Sequence, residues 1–404
     1  MSDFEKKILE FKNRLNGTQD SKEIESIRSD IFSKNGFINS QFKKLGSLYE
    51  DEKKTFAANI NKAKQELLEI FKAKATEVSD KELNEKIKKE KIDVTLPEKE
   101  FKIGKIHPVS EVIDEIGLPA GVVNTVHGFG SEAGQFIVEN SKVNLISFTG
   151  GTTTGKMVAA TAAPMFKKLS LELGGKNATI VLDDTDLDKS IPEIVRSGFM
   201  NQGQVCLCGS RILVSDKIWE EFVDKFVNHV KSMKVGDPSS SSSDLGALIS
   251  SSHRDKVESY IHLAQREGGE ILCGGKSPNL SPPFDKGFFL EPTVISGLSH
   301  MSRTATEEIF GPVVTIHPFK SDKEAIEMAN CTDYGLAGSV WTGDAKRGKE
   351  LAEQIETGMV WVNTWLHRDL RVPFGGIKNS GVGREGGRWS LSFFSEAVNI
   401  CVKK

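Results

Sequence analysis

The chain has 404 residues, of which 38% are hydrophobic and 27% are charged, and its formal net charge is -3. This composition is typical of a folded, water-soluble protein that is long enough for two or three domains. A charge this close to balance argues against nucleic-acid binding over the whole surface, although a local basic face is compatible with it.

Five cysteines are scattered along the chain, and only Cys206 and Cys208 lie close together in the sequence. One Cys-x-Cys pair without a second pair or a nearby histidine is a poor zinc pattern, so no metal site is predicted. An odd, sparse set of thiols is typical of a reducing compartment. The first seven residues lack the apolar run of a secretory signal, and no stretch approaches membrane-spanning length. We therefore expect a cytoplasmic protein with no membrane partner.

Residues 1–116 are dense in Lys and Glu and poor in Gly and Pro. Apolar residues recur at spacings of three and four over 4–15 and again over 56–70, and Lys34-Asn35-Gly36 breaks the pattern between them. Two helices with narrow apolar seams and charged outer faces predict an antiparallel, coiled-coil-like helical hairpin over 1–95. A solvated amphipathic arm is the alternative that the pattern leaves open.

Short sequences in this region follow a recognisable order, at 33–36, 45–46, 59–64, 91–97 and 104–109. Over about residues 1–115 they resemble the N-terminal region of the bacterial phenylalanyl-tRNA synthetase alpha subunit. The resemblance implies an arm that contacts tRNA, followed by a linker over 96–116. The aminoacylation domain of that subunit is absent, so synthetase activity is not implied. Lysines that would contact phosphates are Lys43, Lys44, Lys53, Lys54, Lys62 and Lys64.

From residue 117 onward, strand-like runs alternate with helical stretches, which predicts an α/β fold. Residues 122–126 read as a strand that runs into Gly128, Gly130 and Gly134. Two glycines after a strand and one on the following helix suit the close approach of a dinucleotide to the backbone. The spacing departs from the strict Gly-x-Gly-x-x-Gly pattern, so Gly130 is a candidate cofactor residue only in combination with other motifs.

A second strand, at 144–148, leads into a glycine-rich sequence that nearly spells a phosphate-binding P-loop. Gly150, Gly155 and Lys156 have the right spacing, but position 157 is Met and offers no hydroxyl for Mg²⁺. A protein that binds nucleoside triphosphates is therefore an alternative of lower rank. A helix N-terminus at this place would also favour the pyrophosphate of a dinucleotide.

One carboxylate and one thiol each lie in a glycine-containing turn. Glu172 precedes Gly174-Gly175, and Cys206 follows Gly203. Glycine allows the backbone to approach a ligand closely. A thiol can attack a carbonyl, and hydrolysis of the covalent adduct needs a base that activates water. Glu172 and Cys206 are therefore the candidate catalytic residues, and the alternative is a turn acid beside a buried, inert thiol.

Glu-Leu-Gly-Gly-Lys at 172–176 and Gly-Gln-Val-Cys at 203–206 resemble the NAD(P)-dependent aldehyde dehydrogenase superfamily. The resemblance continues through 288–293, 307–313, 358–363 and 373–386. It implies Cys206 as the nucleophile and Glu172 as the general base.

The same resemblance implies NAD, or alternatively NADP, as the cofactor. Gly150, Gly151 and Gly155 would hold the pyrophosphate at the helix N-terminus, although the family usually has Ser where this chain has Gly151. Glu308 would bind the nicotinamide ribose hydroxyls. Phe310 would lie against the nicotinamide ring, and simple core packing is the alternative for this side chain.

The segment 364–372 contains Arg368 and Arg371. A guanidinium matches a carboxylate with two parallel hydrogen bonds, so a carboxylate on the substrate is predicted. Together with Cys206-Leu207-Cys208, this segment resembles the 2-aminomuconic or 2-hydroxymuconic semialdehyde dehydrogenase branch of the family. That resemblance implies that Arg368 binds the acid group, and the alternative is that both arginines are surface charges.

The resemblance covers only the later part of the family's domain, over about 117–404. The first Rossmann strands and the asparagine that donates to the oxyanion have no counterpart there. We therefore predict a truncated aldehyde dehydrogenase fold. It has a partial Rossmann-like domain over 117–174, an α/β catalytic domain over 175–376, and a return segment with an oligomerisation strand over 377–404. Joined to the synthetase-like arm, it would form a chimera.

The predicted function is oxidation of a small-molecule aldehyde to an acid through a thioester on Cys206, with activity severely reduced by the missing part. A homo-oligomer through the final strand-like run at 397–402 is also expected, although an ordinary edge strand would show the same alternation. The alternative function is a nonenzymatic, tRNA-binding fragment of the synthetase alpha subunit.

Overall fold

The structure is a computed structural model that describes residues 3–44, 50–89 and 107–403. The chain divides into two compact units, Met1–Val122 and Val123–Lys404. The motif segments predicted at 45–46, 91–97 and 104–106 lie outside the described residues, as does most of the linker predicted for 96–116. Within the described ranges, none of the helices combines the length and the apolar character that a bilayer crossing requires.

The first unit is helical, as predicted. Its helices are α1 (Asp3–Gly17), α2 (Ser21–Phe32), α3 (Phe37–Lys44), α4 (Glu50–Lys89) and α5 (Pro108–Glu115). The first four share one apolar core, formed by Ile8, Phe11, Leu15, Ile27, Ile31, Ile38, Ile60, Ala63 and Leu67. The two predicted stripes lie on α1 and α4, and Lys34-Asn35-Gly36 lies between α2 and α3.

The predicted hairpin of two helices is incomplete, because α2 and α3 also pack against α4. Ile24, Ile27 and Ile31 repeat the three- and four-residue spacing on α2, and all three are buried. This stripe gives α2 its own place in the core, so four helices instead of two enclose the core. A coiled-coil geometry stays a prediction.

The second unit is α/β. Its strands are β1 (Leu145–Thr149), β2 (Lys168–Glu172), β3 (Ala178–Val181), β4 (Arg211–Ser215), β5 (Glu270–Cys273), β6 (Thr293–Ser296), β7 (Val313–Phe319), β8 (Tyr334–Gly335), β9 (Ala337–Trp341), β10 (Met359–Val362), β11 (Ile377–Lys378) and β12 (Gly381–Val382). Its helices are α6 (Gln135–Glu139), α7 (Thr152–Ala162), α8 (Leu187–Phe199), α9 (Trp219–Ser232), α10 (Ser251–Arg266), α11 (Arg303–Thr306), α12 (Asp322–Asn330), α13 (Ala345–Ala352) and α14 (Gly387–Phe393).

The large sheet has seven strands in the order β10-β9-β3-β4-β7-β6-β5. Its pairs are parallel except for β5, which is antiparallel to β6. Every residue of β3, β4, β6 and β9 is buried, as parallel strands covered on both faces require. Helices α8 and α9 contribute to the core on one side, and α12 and α13 contribute to the core on the other.

The small sheet has three strands in the order β1-β2-β12, with β1 parallel and β12 antiparallel to β2. Helix α7 packs against it through a core of Ile146, Val158, Ala162, Leu171 and Leu173. Strand β1 lies at the edge of this sheet. The strand predicted at 144–148 is thereby confirmed within one residue.

The strand predicted at 122–126 is wrong. These residues form no strand, and Val122, Val123 and Val126 are exposed. A strand exists only where a neighbour accepts its backbone hydrogen bonds, and none of the described strands pairs with this segment. At the other end, Val398, Ile400 and Val402 are also exposed and unpaired within the described chain. The oligomerisation strand therefore stays a prediction.

Candidate functional site

Glu172 is the last residue of β2, and its backbone pairs with Thr149 on one side and Gly381 on the other. Its side chain is 5% exposed, and within the described residues neither carboxylate oxygen has a hydrogen-bond partner. Burial, together with the charge of Glu385, raises the pKa of Glu172 to about 8. Glycine at 375 leaves room for this carboxyl group, because a Cβ there would lie 2.6 Å from Oε1.

The loop that carries Cys206 begins with an unusual backbone. After α8 ends at Phe199, Asn201, Gln202 and Gly203 have φ angles of 51°, 56° and 69°. Three successive left-handed residues reverse the chain sharply, and only glycine fits at 203, since a Cβ there would lie 2.0 Å from the carbonyl oxygen of Gly311. Burial raises the pKa of the Cys206 thiol, and the charges of Glu172 and Glu308 raise it further.

Asn177, directly before β3, fastens this loop to the large sheet. Its Nδ2 donates to the carbonyl oxygens of Cys206 at 2.8 Å and Cys208 at 2.9 Å. Its Oδ1 accepts a hydrogen bond from the Ala337 N–H at 3.0 Å. The sequence analysis did not single out Asn177. Its place immediately after the 172–176 motif, where a polar residue precedes a buried strand, was the available signal.

Glu172 and Cys206 line one cavity of about 490 Å³. This volume is in the range of small-molecule sites. Other residues that line it are Gly150, Gly151, Glu308, Phe310, His253 and Lys256. The structure therefore brings both candidate catalytic residues and four of the six candidate cofactor residues together around one space.

The same cavity has the features of a dinucleotide site. Gly151 caps α7 without a side-chain hydrogen bond, so the first N–H groups of this helix are available to an anion. Glu308 accepts a hydrogen bond from the Gly175 N–H at 3.0 Å, and a Cβ at Gly174 would lie 2.2 Å from its Oε2. A carboxylate held against glycines in this way can accept hydrogen bonds from ribose hydroxyls, so these residues fit the cofactor.

Two of the predicted glycines lie elsewhere. Gly130 opens a π-helical turn, Gly130–Gly134, and is not among the described residues that line the cavity. Gly155 is buried in α7, and a Cβ there would lie 2.4 Å from the Leu173 side chain. The immediate reason for glycine at 155 is thus the packing of α7 against the small sheet.

Arg368 is exposed, and its guanidinium lies over the Phe374 ring at 4.3 Å from the ring centroid. Its positive charge lowers the pKa of both Glu172 and Cys206, although burial outweighs this effect at each group. Arg371 instead forms an ion pair with Asp369. Of the two arginines, Arg368 is therefore the one whose charge acts on the site.

Lys176 is a further residue that the sequence analysis missed. Its side chain is 2% exposed, and its Nζ has no hydrogen-bond partner among the described residues. Burial, together with the nearby charge of Arg211, lowers the pKa of Lys176 to about 7. Its place at the end of the 172–176 motif was the available signal, although lysine is normally solvated.

Residues 106–400 match the sequence profile of the aldehyde dehydrogenase family. The chain belongs to this family. Mouse 2-aminomuconic semialdehyde dehydrogenase is 48% identical over 295 residues, which are 72% of this chain and 61% of the mouse protein. The 2-aminomuconic 6-semialdehyde dehydrogenase of a Pseudomonas species is 46% identical over 296 residues, which are 73% of this chain and 60% of that protein.

A solved aldehyde dehydrogenase structure gives the same result for the fold. Betaine aldehyde dehydrogenase from Staphylococcus aureus, crystallised with NAD⁺, superimposes with a TM-score of 0.68 at 40% identity. The match covers 70% of this chain and 56% of that one. The chain thus spans about three-fifths of the length of the curated relatives it matches.

The N-terminal part matches a different family. Residues 19–87 match the profile of the aminoacyl tRNA synthetase class II N-terminal domain. Both resemblances found in the sequence are therefore confirmed, and the two matched profiles support the description of the chain as a chimera.

Proposed function

We propose that this chain oxidises an aldehyde to an acid through a thioester on Cys206, with NAD, or alternatively NADP, as the electron acceptor. The observation that carries the proposal is the placement of two groups around one cavity: the buried carboxyl group of Glu172, which has no hydrogen-bond partner among the described residues, and the half-buried thiol of Cys206. Membership of the aldehyde dehydrogenase family supports the same reaction.

The protein side chains act at the start and the end of this reaction. Sulfur of Cys206 forms a bond with the aldehyde carbon, and the thiol proton moves to the aldehyde oxygen, which gives a thiohemiacetal. NAD⁺, when bound, would supply the acceptor for the hydride that leaves the thiohemiacetal carbon, and loss of the hydroxyl proton to water would leave the thioester. Glu172 then removes a proton from water as the water oxygen attacks the thioester carbon. The carbon–sulfur bond breaks, the thiol regains its proton, and the acid leaves.

The proposed cofactor residues divide by the part of the cofactor that they would hold. The N-terminus of α7 at Gly150 and Gly151 would take the pyrophosphate, since helix N-termini favour anions. Glu308 would accept hydrogen bonds from the nicotinamide ribose, and Phe310 would limit the motion of the ring. Gly130 and Gly155 would act at a distance from the cavity.

The proposed substrate is a semialdehyde that carries a carboxylate, such as 2-aminomuconate semialdehyde. Arg368 would bind its acid group. The support is the charge that Arg368 exerts at Glu172 and Cys206 and the identity of 46–48% to relatives named as 2-aminomuconic semialdehyde dehydrogenases.

The test is NADH formation by the purified chain with a carboxylate-bearing semialdehyde. We expect a low rate that Cys206→Ser abolishes and Cys401→Ser leaves unchanged, because Cys401 is exposed and distant in sequence from the site. Lack of a single oxyanion donor lowers the rate by about 10²–10³ in related chemistry. A rate that persists in Cys206→Ser would remove the proposal, and a fast wild-type rate would remove the proposed impairment.

Two further proposals concern assembly and location. Residues 397–402 would join a second copy of the chain as a strand, since Val398, Ile400 and Val402 present an alternating apolar face. Ile400→Lys should then lower the mass of the assembly measured by light scattering.

The five cysteines are unpaired, which supports a reducing location such as the cytoplasm.

A second candidate function for the N-terminal unit is tRNA binding, favoured by the match of residues 19–87. Lys62 and Lys64 on α4 would contact phosphates, with the other lysines of the predicted basic set. Such binding should weaken steeply with salt. Binding to the full chain that is undetectable at low salt would eliminate this function.

A further inference from the structure

Phe310 has a backbone conformation that its side chain disfavours. Its φ angle is 60°, in the left-handed region that a bulky residue rarely enters. Such a residue persists only where its surroundings hold it in place. Because Phe310 lines the cavity that contains Cys206, the contacts that hold its backbone also determine the shape of the cavity.

The contact that holds this backbone comes from α10. Nε2 of His253 lies 2.6 Å from the carbonyl oxygen of Phe310. A carbonyl oxygen only accepts, so Nε2 carries the proton and donates it. The two rings also meet edge to face at a centroid distance of 6.0 Å. His253 is itself anchored, since its backbone N–H donates to the Ser250 side chain that caps α10.

One turn further along α10, Val257 fixes the next residue. Val257 is fully buried, and a Cβ at Gly311 would lie 2.6 Å from its side chain. The carbonyl oxygen of Gly311 lies against Gly203. A Cβ on residue 203 would be 2.0 Å from this oxygen. Gly203 begins the loop that ends in Cys206. A continuous set of contacts thus runs from His253 through Phe310 and Gly311 to the thiol loop.

We propose that His253 is a positioning residue: its hydrogen bond to the Phe310 carbonyl keeps the Phe310 backbone left-handed, and the Phe310-Gly311 segment in turn holds the Cys206 loop in its reactive geometry. The proposal deepens the proposed function, since Phe310 and Cys206 belong to that site. His253 would act through the backbone of Phe310 and would not itself react.

The test measures the alkylation rate of Cys206 by iodoacetamide in the full chain, with peptide mass spectrometry. Cys401, which is exposed, serves as an internal reference in the same sample. His253→Leu should change the Cys206 rate by about fivefold or more, because the strained turn loses its hydrogen bond. His253→Gln should restore the wild-type rate, since its amide keeps a donor at similar reach. The matched control is His262→Leu, an exposed histidine on the same helix.

A second variant distinguishes this role from general destabilisation. Glycine adopts the left-handed conformation without strain. In a Phe310→Gly background, His253→Leu should therefore change the Cys206 rate by less than about twofold. An equal effect of His253→Leu in both backgrounds would overturn the proposal, and so would an unchanged rate in the single variant. Neither outcome depends on cofactor or aldehyde, so a failure here is separate from a failure of the proposed oxidation.

Discussion

The seven-stranded sheet and the three-stranded sheet carry different parts of the site and are covered to different degrees. Strands β3 and β4 are buried along their whole length, whereas β1 is an edge strand whose residues are mostly half-buried or exposed. Phe226 and Phe222, near the large sheet, are completely buried. Phe136 and Phe166, near the small one, are 72% and 94% exposed. The thiol loop is fastened to the better-covered sheet through Asn177.

This difference separates the two halves of the proposed chemistry. The described contacts of the thiol loop, through Asn177 and Gly311, lie within the second unit. The carboxyl group of Glu172 and the helix N-terminus at Gly151 depend on the small sheet, whose outer edge has no partner strand in the described chain. We therefore expect the rate of acyl transfer at Cys206 to exceed the rate of cofactor-dependent oxidation. Substitutions on either side of the site test this difference.

The largest effect is expected at Glu172, which joins the two halves. Glu172→Gln should slow hydrolysis of a thioester on Cys206 by about 10²–10⁴, the usual contribution of a general base. Because burial raises the pKa of Glu172 to about 8, hydrolysis in the wild type should rise with pH and level off above that value. Single-turnover deacylation of acetylated Cys206, measured between pH 6 and pH 10, tests both statements. A flat pH profile, or equal rates in the two proteins, would exclude Glu172 as the base.

Truncation of a phenylalanine to alanine should lower stability strongly near the large sheet and hardly at all near the small sheet. Phe226→Ala removes a fully buried ring and should lower the free energy of unfolding by about 3–5 kcal/mol. Phe136→Ala removes a ring that is already 72% exposed and should change it by about 0.5 kcal/mol or less. Urea unfolding followed by circular dichroism measures both. Similar costs at the two positions would show that the small sheet is covered as well as the large one.

A smaller effect is expected from the buried amine of Lys176. Its pKa of about 7 in the folded chain lies below the ordinary lysine value of 10.5, so between these values the unfolded chain binds more protons. Stability should therefore rise with pH through this window. Lys176→Met should stabilise the protein on the order of 2 kcal/mol below pH 7, and the gain should shrink towards pH 10.5.

Thermal unfolding of Lys176→Met at pH 6 and pH 10 measures this difference. Lys286→Met, at an exposed lysine, is the matched control and should show no such trend. A gain in Lys176→Met that is independent of pH would mean that folding does not shift the pKa of this amine.

The smallest effect is expected at the two arginines of the 364–372 segment. Arg368→Ala should raise the KM for a carboxylate-bearing semialdehyde by about tenfold and leave an uncharged aldehyde unaffected. Arg371→Ala is the matched control, because Arg371 is exposed and already paired with Asp369. Equal effects of the two substitutions on KM would show that both arginines are surface charges.

Much of the fold and site could be predicted because the signals were local. Periodic apolar residues located α1 and α4, and short motifs located Glu172, Cys206 and Glu308. The strand at 122–126 failed because pairing depends on a neighbour that no local pattern reveals. The left-handed backbone of Phe310 and the burial of Lys176 could not be predicted for a related reason, since tertiary packing creates both.

Acylation of Cys206 by an activated ester tests the central claim most directly. The wild-type chain would be mixed with 4-nitrophenyl acetate in the absence of any cofactor, and the acetylated peptides would be mapped by mass spectrometry. We expect Cys206 to be acetylated ahead of the other four cysteines and then to lose its acetyl group by hydrolysis. Acetylation of exposed Cys401 with Cys206 unmodified would contradict it.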